Sequence, residues 1–525
     1  MNTVNNKLIG SYYTPHEVIK FIYNYLEKQN KNIKSILEPS AGDGRFIEAF
    51  LKSNFISSIV GIELVEDKLM HVKEKISSPK LRLVVSDFIV FSLGTRAKFD
   101  LIIGNPPYIN LKNMDKAFLE ASRTLCRKIG LPENVVQNAW VAFVLAASQL
   151  LSKNGAIFFV LPIEFLQVNY AEKIRSFLEK NFNTIHIICF SKRIFPTIDQ
   201  DACLVYITNE IKGLPYILYQ KYFNSNSSKP FYQSKIERNK PLKKWSNAIL
   251  SDEEIDLLNN ISKYYPSIRE ISQSAPGIVT GANNKFILTK EEVIRYNCTN
   301  YIKPILSKGA MVKNKFEVNH NLILDLESKN NKVYLLDLAE FDFNSLPIQL
   351  QEYLNIVAKT KRNGIEIQYS YKCSRRKPWY GVPIVKSGSV IFFKRYDTIP
   401  RFSTNPEQIY TTDIAYGLQL SKNIDPESLV FCFYNSLTLA QCEFVGRYYA
   451  GGVIELTPNE FKSITIPYQR IDHFDIENLK KMFSENSDID DIVSFVNAKT
   501  LNCRIGKCDI DKLNLIRKKL IERRK

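Results

Sequence analysis

LEPSAGDGRF, residues Leu37–Phe46, decides the fold of the N-terminal half of this chain. A short apolar run ends there in a turn of small residues, and the turn leads into a segment with helical spacing of apolar side chains. Gly42 and Gly44 permit left-handed backbone and a close approach of the main chain to a ligand. A helix that starts directly after them offers free backbone N–H groups. The stretch therefore predicts a strand, a ligand-binding turn and a helix in succession.

Further strands are predicted on either side of helical segments in the first 210 residues. Apolar runs at Ser58–Leu64, Leu81–Val85 and Phe99–Ile103 alternate with helical patterns, which indicates parallel strands covered on both faces. The last run, Ala202–Asn209, has no helix before it, so we expect it to pair antiparallel with its predecessor. The predicted fold class is α/β, a doubly wound, seven-stranded Rossmann-like sheet in residues 1–220 whose last strand is antiparallel.

The composition changes after this region. Residues 221–245 are polar, basic and interrupted by prolines, which predicts a linker. Residues 246–525 lack the strand–helix alternation and predict a second domain of mixed α+β type that ends in a helical segment. The net charge of the chain is +17. Residues 1–210 carry 25 basic and 20 acidic side chains, and the rest of the chain carries 46 basic and 34 acidic side chains. The excess of positive charge after residue 210 favours a polyanionic partner for that part of the chain.

Acidic residues stand at the ends of consecutive predicted strands. Glu63 ends the second strand, where a carboxylate can hold both hydroxyls of a ribose, and Asp87 with Phe88 ends the third. The carboxyl ends of parallel strands meet at one edge of a sheet, so these groups should lie beside the glycine turn. Each feature alone fits an ordinary turn or a solvated acid. As an ordered set they indicate a nucleoside-binding site.

The fourth strand ends in GNPPY, residues Gly104–Tyr108. Its two prolines fix φ and remove two N–H donors, which leaves carbonyl groups available as acceptors. Asn105 adds an amide oxygen, and Tyr108 adds an aromatic ring. Two acceptors beside a stacking surface suit a planar group that carries an NH₂, such as adenine.

Together these motifs give the chain a resemblance to a known family. It resembles the gamma-class, TaqI-like, S-adenosylmethionine-dependent N6-adenine DNA methyltransferases of type II restriction–modification systems. Gly10–Ile22 resembles the family's motif that closes over the methionine moiety, and Ile194–Pro196 its motif whose aromatic ring packs on a flipped base. The resemblance implies a methyltransferase sheet in residues 1–220 and a DNA target-recognition domain in residues 246–525. It also implies base flipping and a cognate restriction endonuclease.

The resemblance assigns roles to individual residues. The Asn105 side chain and the Pro106 carbonyl would accept the hydrogens of the target amine, and Tyr108 and Phe195 would stack on the ring. The implied catalytic set is Asn105, Pro106, Pro107, Tyr108 and Phe195. The implied S-adenosylmethionine site consists of Tyr13, Thr14, Pro15, Glu38, Pro39, Ala41, Gly42, Gly44, Glu63, Leu64, Asp87, Phe88 and Asn105.

Segments of the second half resemble the family's target-recognition domain more loosely. They are Gly277–Phe286, Arg376–Tyr380 and Gly451–Tyr468. Basic residues interleaved with tyrosine and tryptophan suit contact with phosphates and bases. The predicted contacts to double-stranded DNA are Asn283, Lys285, Arg376, Trp379, Arg395, Arg447 and Tyr449.

Other functions remain open at this point. A protein-glutamine methyltransferase needs a similar NPPY site, because an amide NH₂ presents the same chemistry, and structured RNA also carries adenine N6. A fused nuclease and a non-catalytic DNA-specificity subunit fit the motifs less well. Neither a metal site nor a disulfide framework is expected from nine scattered cysteines and five histidines. Without a signal peptide or an apolar run that spans a bilayer, a cytoplasmic protein is expected, and a monomer suffices for one site.

Overall fold

The computed structural model describes residues 13–29, 32–53, 55–195, 201–210, 213–502 and 504–524. The chain folds as two compact units. The first ends at Glu253 and includes residues 449–451, and the second comprises residues 254–448 and 452–524. Within these described ranges, no helix has the length and apolar character needed to cross a membrane.

The first unit is built on one mixed sheet with the strand order β3-β2-β1-β4-β5-β7-β6-β8-β9. Strands β1 to β5 pair in parallel, and β7 runs antiparallel between β5 and β6, as the sequence predicts. The strands are β1 (Ser35–Glu38), β2 (Ser58–Glu63), β3 (Leu81–Val85), β4 (Phe99–Gly104), β5 (Leu151–Pro162), β6 (Thr184–Phe190), β7 (Ala202–Thr208), β8 (Tyr216–Tyr222) and β9 (Tyr232–Glu237).

Helices follow most of the parallel strands in this unit. Helix α1 buries Val18, Ile19, Ile22 and Leu26, the spacing of one apolar stripe, in a core that also contains strand residues such as Phe158. Helix α6 is buried on nearly all sides, which explains its almost unbroken apolar sequence. The helices are α1 (His16–Lys28), α2 (Arg45–Leu51), α3 (Glu66–Lys75), α4 (Phe88–Gly94), α5 (Lys116–Ile129), α6 (Ala139–Gln149) and α7 (Glu172–Asn181).

Two predictions about this unit are wrong. The sheet has nine strands in the described part of the chain, not seven, and residues 221–245 are not a free linker. Strand β8 covers the start of that segment, and β9 lies inside it, paired antiparallel with β8. Strand β9 is at the edge of the sheet, where its residues alternate between half-buried and exposed. An edge strand with one solvated face has the polar composition that we interpreted as a linker.

The stretch after β9 is held against helix α7. The guanidinium of Arg175, a fully buried side chain, donates to the carbonyl of Phe165 at 2.7 Å and to that of Lys243. The Glu179 carboxylate accepts a hydrogen bond of 2.5 Å from the indole of Trp245, which is itself fully buried. These contacts extend the first unit well beyond its predicted end at residue 220.

The second unit mixes helices with short strands around apolar cores. Its sheets have the orders β10-β20-β16-β18, β11-β13-β12-β19, β14-β15 and β17-β22-β21. The strands are β10 (Ser272–Pro276), β11 (Ile287–Leu288), β12 (Ile302–Leu306), β13 (Tyr334–Leu336), β14 (Lys361–Arg362), β15 (Ile365–Glu366), β16 (Val390–Phe393), β17 (Arg395–Tyr396), β18 (Arg401–Thr404), β19 (Tyr410–Thr411), β20 (Ala415–Leu420), β21 (Arg447–Tyr449) and β22 (Val453–Glu455). The helices are α8 (Asp252–Ser262), which begins at the unit boundary, α9 (Ile268–Ile271), α10 (Asn283–Phe286), α11 (Lys290–Arg295), α12 (His320–Ser328), α13 (Ile348–Lys359), α14 (Pro426–Phe433), α15 (Ser436–Val445), α16 (Pro458–Lys462), α17 (His473–Ser484), α18 (Ile489–Thr500) and α19 (Lys507–Arg524).

Candidate active site

An open cavity lies at the carboxyl edge of the first unit's sheet, beside the neighbouring strands β1 and β4. The chain reverses its direction of sheet growth between these two strands, and this is where ligands bind in doubly wound folds. Most of the predicted cofactor residues line the cavity: Tyr13, Thr14, Glu38, Pro39, Ala41, Gly42, Glu63, Leu64, Asp87, Phe88 and Asn105.

The glycine turn and the end of β2 fix one carboxylate in place. Glu63 Oε2 accepts a hydrogen bond of 2.9 Å from the backbone N–H of Gly42, and Oε1 accepts bonds of 3.1 Å from the N–H groups of Leu64 and Val65. The carboxylate is thus oriented by backbone groups of two loops, and its remaining lone pairs are available to vicinal hydroxyls.

Gly44 is required by the geometry of the same turn. Its φ is +75°, and an added Cβ would lie 2.8 Å from Cγ1 of Val72 on helix α3. It lies behind the cavity wall, so it shapes the turn and does not face a ligand.

Two buried polar atoms face the cavity without a partner. Glu38 Oε2 and Thr14 Oγ1 have no hydrogen-bond partner among the residues that the structure describes. Burial, together with the nearby Asp43 and Glu63 carboxylates, raises the pKa of Glu38 well above its ordinary value. A ligand that brings a cationic donor would satisfy these atoms and favour the ionised carboxylate.

Arg45, which sequence reasoning missed, connects the glycine turn to the N-terminal segment. Its guanidinium binds the Asp43 carboxylate, donating from Nε at 2.9 Å, and donates to the Thr14 carbonyl at 2.5 Å. It also lies 5.1 Å from the centroid of the Tyr13 ring. Burial raises the pKa of Asp43, but the hydrogen bonds and charge of Arg45 outweigh burial and keep it below its ordinary value.

Asp87 has a structural task in addition to its predicted one. Its Oδ1 caps helix α4 by accepting from the N–H groups of Ile89 at 2.7 Å and Val90 at 3.0 Å. Oδ2 accepts no hydrogen bond from the described residues and remains for a ligand. Burial raises the pKa of Asp87 despite these bonds, and Phe88 packs its ring 5.1 Å from that of Phe143.

The NPPY elbow forms the wall of the cavity nearest β4. Asn105 and Pro107 line it, and the Asn105 carbonyl accepts a hydrogen bond of 3.2 Å from Ser40 Oγ. Pro106 is buried. Tyr108 donates its hydroxyl proton to the Val160 carbonyl at 3.1 Å, and burial raises its pKa well above the ordinary value.

Five predicted residues are not among those that line the cavity: Pro15, Gly44, Pro106, Tyr108 and Phe195. Phe195 is only 4% exposed and packs in the first unit's apolar core with Val18 and Ile19, so the structure does not bring it to the cavity; Pro196, next to it, lies outside the described residues. Ile194, which precedes Phe195, is also apolar, and both side chains are buried in the same core. Pro15 precedes helix α1 and accepts from the N–H of Val18.

Some cavity residues had no signal in the sequence. Lys68, Met114, Phe118 and Phe143 come from positions outside the motifs. Ser40, Asp43 and Arg45 lie within or next to the glycine turn, and Ile109 directly follows the NPPY elbow, so these four could have been included. The missed lining residues include Ser40, Asp43, Arg45, Lys68, Ile109, Met114, Phe118 and Phe143.

Several predicted DNA contacts of the second unit are committed to structural interactions. Arg376 donates to the carbonyls of Val279 and Thr280 at 2.7 and 2.8 Å, and Trp379 packs beside the core, 6.3 Å from the Phe286 ring.

Two more arginines are in ion pairs. Arg395 pairs with Glu455 at 3.0 Å, and Arg447 with the buried Glu460 at 3.1 Å. The other predicted contacts are exposed or half-buried: Asn283, Lys285 and Tyr449.

The mixed sheet brings a glycine turn, the Glu63 carboxylate, and Asn105 and Pro107 of the elbow to one cavity, and comparison with known proteins identifies the family of the chain. Residues 17–195 match the family of Eco57I restriction-modification methylases, and residues 242–501 match the C-terminal domain of the type II methyltransferase M.Eco57I. The chain belongs to the type II restriction–modification methyltransferase family.

Individual relatives are similar over most of their length. The type II methyltransferase M.AccI of Acinetobacter calcoaceticus is 23% identical, over 87% of this chain and 85% of the relative. M.HincII of Haemophilus influenzae is also 23% identical, over 91% of this chain and 94% of the relative. Among solved structures, the type IIL restriction-modification enzyme MmeI in complex with DNA is similar with a TM-score of 0.62 and 10% identity, covering 100% of this chain and 80% of that one.

Proposed function

We propose that this protein transfers a methyl group from S-adenosylmethionine to N6 of an adenine flipped out of double-stranded DNA, as the gamma-class enzymes do. The observation that carries the proposal is that Asn105 and Pro107 of the NPPY elbow line the same cavity as Glu63 and Asp87. Acceptors for a target amine thus lie beside groups suited to a nucleoside.

The residues around the cavity suit S-adenosylmethionine, which would supply a methyl group on a positively charged sulfonium. Glu63 would accept the ribose hydroxyls, and Asp87 Oδ2 the adenine amine of the cofactor. Glu38 and Thr14, whose buried oxygens lack partners in the described chain, would accept from the methionine ammonium. A cationic cofactor also reduces the mutual repulsion of the carboxylates around it.

The elbow would prepare the target nitrogen for attack. The Asn105 side-chain oxygen and the Pro106 carbonyl would accept both N6 hydrogens, which directs the nitrogen lone pair out of the ring plane toward the methyl group. The product nitrogen is acidic and loses its proton to water, so orientation and electrostatics carry the rate. The hydrogen bond from Tyr108 to Val160 fixes the ring proposed to stack on the flipped base. Phe195, packed in the core, is not retained for that role.

The second unit would read the DNA. We propose residues 246–525 as the target-recognition domain for a short specific sequence, because their residues 359–377 concentrate seven basic side chains and a single acidic one. A separate restriction endonuclease would cut the unmethylated sequence, and a monomer with one site would modify one strand at a time.

Mapping modified bases tests the proposal directly. The protein is expressed in a host without DNA methylation, and the genome is sequenced by a single-molecule method that detects methylated bases. We expect N6-methyladenine at one short motif in wild type. Asn105→Ala should show none, while the purified variant still binds duplex DNA.

A second assay distinguishes the alternative substrates. Purified enzyme and tritiated S-adenosylmethionine are incubated separately with duplex DNA, structured RNA and whole-cell protein. Label in DNA alone is expected. Label in protein or RNA, with DNA untouched, would contradict the proposal and favour a glutamine or RNA methyltransferase.

A further inference from the structure

One short segment of the second unit concentrates the chain's positive charge. Residues 359–377 contain seven basic side chains and a single acidic one, out of a net charge of +17 for 525 residues. Six of the exposed side chains of this segment are here called the basic tyrosine surface: Lys361, Arg362, Tyr369, Tyr371, Lys372 and Arg375.

The local backbone keeps these side chains at the surface. Strands β14 and β15 form a two-residue hairpin whose turn residues, Asn363 and Gly364, have φ angles of +51° and +81°. An Asn-Gly turn with positive φ at both positions is the preferred connection for such a tight hairpin. A hairpin this short has no buried face of its own, so Lys361 and Arg362 are exposed.

The segment is anchored at several points. Ile367 and Cys373 are buried in the apolar core of the second unit, at 4% and 0% exposure. Arg362 donates to the Gly281 carbonyl at 3.0 Å. Arg376 donates to the carbonyls of Val279 and Thr280. Because the segment is held at these points, the backbone positions that carry the exposed cations are fixed before any partner binds.

Two exposed aromatic rings accompany the cations. Tyr369 and Tyr371 are 68% and 64% exposed, which is unusual for side chains of this size. The Arg375 guanidinium lies 4.0 Å from the centroid of the Tyr371 ring, and Lys372 Nζ lies 5.7 Å from it. A guanidinium stacked in this way keeps its N–H edge free to donate to a phosphate while losing little side-chain freedom.

We propose that the basic tyrosine surface contacts the sugar–phosphate backbone of the DNA duplex. Several exposed cations on one anchored hairpin and turn suit contact with phosphates, and phenol rings suit packing against sugars. This inference rests on the proposed function and moves the DNA contacts away from Arg376 and Trp379. Arg376 instead has a structural role: it holds the segment to the loop that contains Thr280.

A triple variant tests this surface: Lys361→Gln, Lys372→Gln and Arg375→Gln. The matched control removes three charges from exposed lysines on other elements: Lys313→Gln, Lys422→Gln and Lys481→Gln. For each protein, the Kd is measured for an unmethylated duplex that carries the motif found by mapping. The KCl concentration is varied from about 50 to 300 mM, a range over which binding through phosphate contacts weakens strongly. Thermal unfolding and S-adenosylhomocysteine binding report on the integrity of the variants.

The triple variant is expected to weaken DNA binding on the order of a hundredfold near 0.1 M salt and to reduce the slope of log K against log salt by about 2 to 3. S-adenosylhomocysteine binding stays unchanged, and the control keeps the wild-type slope. A wild-type slope in the triple variant, or equal losses in variant and control, would overturn the inference but leave the proposed function intact. Wild-type protein that neither binds nor methylates duplex DNA would overturn the proposed function itself.

Discussion

Arg45 shows how one side chain organises the candidate site. It follows the glycine turn directly, and it binds both an acid of that turn, Asp43, and the carbonyl of Thr14 from a segment 31 residues earlier. The same guanidinium lies beside Tyr13, whose ring covers the backbone of Gly42. We infer that Arg45 positions the two segments that would enclose the cofactor, without touching the reacting atoms.

Arg45→Gln should therefore act on cofactor binding. We expect KM for S-adenosylmethionine to rise about tenfold, since hydrogen bonds between charged groups contribute roughly 1.5–3 kcal/mol, while kcat at saturation changes little. Arg45→Lys should restore part of the loss. In a double-mutant cycle with Asp43→Asn the two effects should be non-additive. The control is Arg82→Gln, which changes an exposed arginine on β3. If Arg45→Gln lowers the melting temperature but leaves KM unchanged, Arg45 only stabilises the fold and does not position the cofactor site.

Glu38 predicts a pH effect at the scale of a single residue. Its pKa in the folded protein lies well above 4.5, because of burial and the adjacent carboxylates, so the folded state holds the proton more tightly than the unfolded chain does. Its contribution to stability is complete below pH 4.5 and is lost as the pH rises through the folded-state pKa. In the cofactor-free protein, Glu38→Gln should remove this loss.

The measurement for Glu38 is urea unfolding at a series of pH values from 5 to 8. The free energy of unfolding should fall with pH more steeply in wild type than in Glu38→Gln. The same variant should bind S-adenosylhomocysteine about ten- to a hundredfold more weakly, because it lacks the charge that would face the ammonium group. If the free energy of unfolding depended on pH in the same way in both proteins, the pKa of Glu38 would not be raised in the folded state.

At the scale of elements, the sequence predicts the cavity better than the edges of the fold. Strand ends followed by Glu63, Asp87 and Asn105 could be predicted, because a parallel sheet brings them to one edge whatever the details of packing. Strand β9 could not, because its solvated face has the composition of a loop. Phe195 was misplaced because nothing in a three-residue motif determines whether its ring faces a cavity or the core.

Helix α7 carries the element-scale prediction. Burial raises the pKa of Glu179 to about 7, although hydrogen bonds from Trp245 and Leu242 oppose the shift. The folded protein therefore loses stability as the pH rises from 4.5 through 7, by about 3 kcal/mol for a shift of this size. Glu179→Gln keeps an oxygen that can accept from Trp245 and should flatten this part of the pH profile. Urea unfolding measures it, with Glu172→Gln on the same helix as control; equal flattening in the control would contradict the assignment.

At the scale of the whole molecule, each unit has its own apolar core and its own set of proposed contacts. The residues proposed for the cofactor all belong to the first unit, and the basic tyrosine surface belongs to the second. This division predicts that the cofactor stabilises only the first unit, whereas DNA also stabilises residues 359–377 of the second, since a ligand stabilises the folded state that it binds.

Hydrogen exchange measures this division. With saturating S-adenosylhomocysteine, backbone amides near Glu38, Gly42, Glu63 and Asn105 should gain protection, and those of residues 359–377 should not. With duplex DNA in excess, residues 359–377 should gain protection because the opening of the hairpin competes with phosphate contact. A free ligand concentration of about a hundred times Kd stabilises the folded state by about 2.7 kcal/mol. This clearly slows exchange in segments whose amides exchange only when the whole unit unfolds. Protection of residues 359–377 by S-adenosylhomocysteine alone would mean that the two sites are energetically coupled, and DNA that protects neither segment would place its contacts elsewhere.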